Sequence, residues 1–157
     1  MSLQILLAKR TPYVSPEIPI FDKMVRQGEA ESFITLPILH HGFLVWCLVE
    51  HLSDVEIFHD RIALNLLNAT TKKREQANMF LMRAGDEALL LAGLFPESAR
   101  RLNVSSSYFR FMGQAAYASL AARYMVTGMD GRGGFFDKMA EDFPFLEKVL
   151  RATRSKH

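Results

Sequence analysis

Between Pro37 and Ser53 the chain reads ILHHGFLVWCLVEHL, a stretch that is apolar on nearly every side of a helix. A helix of that kind cannot lie on a surface and needs neighbours all round it. It is also shorter than the ~20 residues required to cross a bilayer. The rest of the chain must therefore supply the elements that bury it.

Those elements read as helices, because no segment alternates with period two for long enough to build a sheet. Ser15, Pro16 and Glu17 form a helix start, and Gly28 is the expected end. A third segment runs from about His59 towards Phe95, with a break near Asn68–Thr71, where Asn and Thr compete with helical hydrogen bonding. Pro96 closes it, and PESARRLN is a connection with about one helical turn. Ser105 is the expected cap of the next helix, which is rich in Gly113, Ala115, Ala118 and other small residues. TGMDGRGGFF reads as a glycine-punctuated loop, and the last segment splits at Pro144. The expectation is an all-α fold, one domain over residues 1–157, a bundle of about six helices with a flexible basic tail at about 152–157.

Composition agrees. With 49% apolar and 23% charged residues over 157 positions, the chain resembles an ordinary globular domain. The net charge of +2 gives no field to attract phosphates, and the arginines are scattered, so nucleic acid is not an expected partner. One cysteine, Cys47, excludes an internal disulfide, and no apolar run is long enough for a membrane span. A cytoplasmic protein is expected.

Charges meet the core at one place. In MRAGDEALLLAGLFPE, Arg83, Asp86 and Glu87 abut an apolar run from Ala88 to Phe95. On a helix, Arg83 reaches Asp86 at i+3 and Glu87 at i+4. The structural reading is an ion pair that sets the alignment of neighbouring helices. The functional reading is a polar floor beneath a ligand pocket, with Arg83, Asp86, Glu87 and Tyr117 as the contacts. The structural reading is favoured.

Other constellations carry less. His40 and His51 lie about 16 Å apart along one helix and cannot share a metal. Glu56 and His59 form a Glu-x-x-His pair that occurs once, where di-iron bundles need it twice with further carboxylates. No metal and no cofactor are expected. Cys47 sits among Val45, Trp46 and Leu48, where a thiol is inert core. No nucleophile elbow or phosphate loop is present, so no catalytic residue is assigned.

Aromatic and methionine residues are the remaining signal. Tyr108, Phe109, Phe111, Met112, Tyr117, Tyr124 and Met125 crowd one helix and cannot all face a single core. The surplus points to a subunit interface or an apolar pocket. Tyr108, Phe111 and Tyr124 are the candidate interface residues.

Residues 89–121, LLLAGLFPESARRLNVSSSYFRFMGQAAYASLA, resemble the recurring pattern LAGLFPE…AxR…VSxxYFxxMGxxAYxxLA. That pattern belongs to an uncharacterised family of bacterial all-helical proteins, with Gly93, Pro96, Tyr108, Gly113 and Tyr117 at matching positions. The resemblance implies a bacterial origin and a helix–loop–helix, and it transfers no catalytic residue. The expected function is that of a non-enzymatic interaction or regulatory module forming a homodimer. The alternative is a helical binding protein, or an enzyme, holding a small apolar ligand between helices 80–95 and 105–125.

Overall fold

The computed structural model describes residues 16–53, 58–105 and 107–154. Eight helices occur among them: α1 (Glu17–Ser32), α2 (Ile38–His51), α3 (Phe58–Thr71), α4 (Arg74–Leu94), α5 (Glu97–Arg101), α6 (Tyr108–Val126), α7 (Asp130–Glu141) and α8 (Phe143–Arg154). The fold is all-α and single-domain, with eight helices where six were expected. Ser15, the expected cap, and Glu56 of the Glu-x-x-His pair lie outside the described residues.

The long helix α4 is the axis of the bundle, because its second half leaves no polar face. Ala84 through Leu94 are all buried. Helices α3, α6 and α8 pack along α4, α7 covers α6, and α1 lies across α2 and α8. The all-round apolar α2 fills the interior, burying Phe43, Leu44, Val45, Trp46, Cys47 and Leu48. Among the described residues, no helix is long and apolar enough to cross a membrane.

Several ends differ from the sequence reading, each for a packing reason. Gly28 does not end α1. It is buried in mid-helix, where a Cβ would stand 2.5 Å from the Val149 carbonyl of α8. The glycine serves close helix contact, and the helix ends instead at Phe33, held in the left-handed region at φ 58°. The backbone N–H groups of Phe33 and Ile34 donate back to Ala30 and Glu29, closing the last turn. The expected glycine loop is mostly helix: only Gly128 keeps the left-handed φ of 78°, and α7 starts at Asp130. Helix α6 opens at Tyr108 behind Ser107, without a side-chain cap. Ala152–Arg154, expected in a flexible tail, continue α8.

Part-buried ion pairs tie the helices to one another. Glu147, on α8, accepts both forks of Arg110 from α6 at 2.9 and 2.8 Å, and Arg151 at 3.0 Å. Arg151 also donates to the Ala92 carbonyl near the end of α4. At the other end, His41 stands between Glu29 Oε1 and Asp22 Oδ1, both on α1. The second Glu29 oxygen accepts from the Leu36 backbone at 2.9 Å, so one carboxylate holds the whole α1–α2 turn.

Candidate functional site

Asp86 and Glu87 are adjacent on α4 and fully buried, yet they face different partners. The Tyr117 hydroxyl of α6 donates to Asp86 Oδ1 at 2.7 Å. On the other side, His51 Nε2 of α2 stands 3.3 Å from Asp86 Oδ2. Glu87 Oε1 accepts from Arg61 of α3 at 2.7 Å. Neighbouring carboxylates thus tie α4 to three helices, which a single ion pair within α4 could not do.

The electrostatics follow from burial. Burial pushes the Cys47 thiol well up, and the adjacent Asp86 adds to the effect. The Tyr117 phenol is pushed well up for the same reasons, so it stays a proton donor. Burial raises the carboxyl of Glu87, with the Arg61 charge as the main opposing influence.

Arg83 does not join this network. It points to solvent and forms no ion pair or hydrogen bond among the described residues, so the expected pairing with Asp86 and Glu87 is replaced by Arg61, His51 and Tyr117. The reason is geometric: Arg83 lies outside the buried arc of α4, while Arg61 approaches from α3. His51 and Arg61 were not singled out as partners. The available signal was that an ionisable residue at the end of an apolar helix, such as His51, must find a partner when buried.

The α4–α6 contact is close at its two glycines. A Cβ on Gly85 would fall 2.4 Å from the Tyr117 ring, and one on Gly113 would fall 2.4 Å from Phe143. The small residues bring rings of one helix onto the backbone of the other. Asp86, Glu87, Tyr117 and Cys47 are sealed from solvent. The arrangement ties α4 to α2, α3 and α6 through partners other than Arg83. Among the described residues, no group of three or more His, Cys, Asp or Glu side chains is placed to hold a metal.

The opposite face of α6 is open. Tyr108, Phe111, Ala115, Ala118, Ala122 and Met125 are all exposed, and they succeed one another at intervals of three and four residues. This is the spacing of a seam that faces another helix. Positions beside the seam are Met112, Gln114, Ser119, Ala121 and Val126, so the face carries no charge between Phe111 and Val126. Arg123, the one ionisable cation in that span, turns aside to Asn78 at 2.7 Å. A solvent-facing helix surface is ordinarily charged, and this one is not.

The candidate interface residues divide accordingly. Tyr108 and Phe111 stand on the open face, Phe111 64% exposed. Tyr124 turns towards α7 and stacks on Phe136, with Arg132 over its ring.

The fold is a helical bundle that leaves an uncharged apolar face of α6 open, as it also leaves Leu64 and Leu67 of α3. No protein-family model, no curated protein and no solved structure matches the chain.

Proposed function

We propose that the protein is a non-enzymatic cytoplasmic interaction module that self-associates through the outer face of α6. One observation carries this reading: a nineteen-residue helix exposes an apolar seam at heptad spacing with no charge along it. Burying such a face costs no charge desolvation and removes Phe111 and Val126, 64% and 86% exposed, from water. The sealed Asp86–Tyr117 network supports the non-enzymatic part, because its groups hold helices together and offer nothing to a substrate.

Light scattering on the eluting protein tests it. The native chain should give twice the 17.9 kDa protomer mass. Phe111→Glu places a charge on the seam and should give the protomer mass with unchanged helical content. A native chain that stays at protomer mass at high concentration would remove the reading.

A further inference from the structure

Near the start of α2, the His41 ring stands in a setting that only one protonation state satisfies. Its Nε2 lies 2.6 Å from Asp22 Oδ1 and its Nδ1 lies 2.5 Å from Glu29 Oε1. A neutral imidazole donates from one nitrogen and accepts at the other, whereas an imidazolium donates from both. Ionised carboxylate oxygens only accept. Both contacts are therefore hydrogen bonds when the ring carries two protons. Facing the ring from α1 are Asp22, Glu29 and, behind Asp22, Arg26, which donates to the second Asp22 oxygen at 2.8 Å. Helix α4 brings its buried Asp86 to His51, at the far end of α2.

We infer that His41 is a pH-sensitive clamp on the turn between α1 and α2. Asp22 and Glu29 are seven residues apart, about two turns along one face of α1, and the ring spans them. Glu29 passes the restraint on to the backbone. Its second side-chain oxygen accepts from the Leu36 N–H at 2.9 Å, and its carbonyl accepts from the Ile34 N–H at 3.1 Å. The turn held in this way includes Phe33 at φ 58°, a conformation that a bulky side chain seldom adopts unless constrained. Loss of one ring proton leaves a nitrogen lone pair facing a carboxylate oxygen, and that contact becomes repulsive. When Glu29 turns away, Leu36 loses its acceptor. One proton is coupled to the placement of the whole turn.

What the clamp governs is an apolar segment. No ionisable residue lies from Phe33 to Leu39, and Phe33, Ile38 and Leu39 are all exposed. Opening the clamp releases the backbone that presents these three side chains.

The sign follows from the proton count. The closed clamp holds one more proton than the open one with a neutral ring, so rising pH opens it and falling pH closes it. Acid does not readily remove the Asp22 acceptor, because hydrogen bonds from Arg26 and His41 hold that carboxyl below its ordinary 3.8. The adjacent His40 responds in the opposite sense. It packs edge-on to Phe135 with Asp142 and Lys138 as its charged neighbours, and burial favours its neutral form.

Amide hydrogen exchange at Leu36, followed by NMR alongside the ring nitrogen signals of His41, tests the clamp in the full chain. After correction for intrinsic exchange, the opening equilibrium at Leu36 should rise by up to about tenfold per pH unit where the His41 ring loses a proton. The two curves should share a midpoint. His41→Gln should make Leu36 opening independent of pH over that range, and His40→Gln should keep the native slope. A slope that persists in His41→Gln would overturn the inference. If that variant does not fold, the native chain decides: a His41 ring that titrates with no change at Leu36 overturns the clamp. These readouts lie on α1 and α2, so their failure leaves self-association through α6 untouched.

Discussion

The Tyr117 hydroxyl donates to Asp86 Oδ1 at 2.7 Å, between two residues that are both fully buried. This bond crosses the α4–α6 contact at the level where Gly85 admits the tyrosine ring. Position and chemistry are coupled there: the glycine lets the ring in, and the ring delivers a donor to a carboxylate that has no arginine or lysine hydrogen-bonded to it among the described residues. Tyr117→Phe keeps the ring and removes the donor, leaving a buried acceptor oxygen without it. The expected loss is about 1–3 kcal/mol of unfolding free energy, read by urea denaturation. A loss within experimental error would show that this bond does not hold α6 to α4.

Arg61 and Arg83 both come near Glu87 in sequence or in space, but only Arg61 pairs with it. Arg61→Ala should cost about 3–5 kcal/mol, because it strands a carboxylate that is fully buried. Arg83→Ala should stay within about 0.5 kcal/mol of the native chain. Replacing Arg61 and Glu87 together by apolar residues should restore much of the loss. Equal effects of the two arginine variants would contradict the assignment.

Phe33 holds a left-handed backbone conformation while its side chain is 95% exposed. A bulky residue there carries about 1–2 kcal/mol of strain that no packing of its own offsets. Phe33→Gly relieves it, and the greater freedom of glycine in the unfolded chain takes back about 0.5–1 kcal/mol. A net gain of up to about 1 kcal/mol is expected by thermal denaturation. Destabilisation by this variant would mean that the Phe33 ring makes a contact worth more than the strain.

His40 is buried at the start of α2, its Nδ1 3.8 Å from Asp142 Oδ2, beyond hydrogen-bond reach. Burial lowers its pKa below the ordinary 6.5, with the Asp142 carboxylate opposing and Lys138 assisting. The unfolded chain then binds a proton at a higher pH than the folded one. Stability from this group is full above about pH 6.5 and is lost as the pH falls through the folded value. His40→Gln should flatten that part of the stability profile in denaturant titrations at stepped pH. A profile with the same slope in both proteins would place the proton uptake elsewhere.

Periodicity carried most of the fold. The all-round apolar α2, the break between α3 and α4, the turn at Pro96 and the split between α7 and α8 all follow from local chemistry. Glycines were less legible, because Gly28 and the glycines of α7 sit in helices for reasons set by what packs on them or by the turn before them. Asp86, Glu87 and Tyr117 stood out as charge or hydroxyl against a core. Their partners did not, since Arg61 and His51 come from helices whose approach no local pattern reports. On α6, the surplus of aromatic residues signalled a second face. Which residues occupy it was settled only by α7 and α4 covering the other side, and this is why Tyr124 turned inward while Phe111 did not.

Self-association through α6 is measured most directly by native mass spectrometry of the protein purified from a bacterial host, across a range of concentrations. A dimer of 17.9 kDa protomers with no retained small molecule is expected. Its population should rise with concentration, change little with salt because the seam carries no charge, and vanish in Ala118→Glu. A protomer at every concentration, carrying a discrete adduct of small-molecule mass, would contradict it and point to a ligand held between the helices.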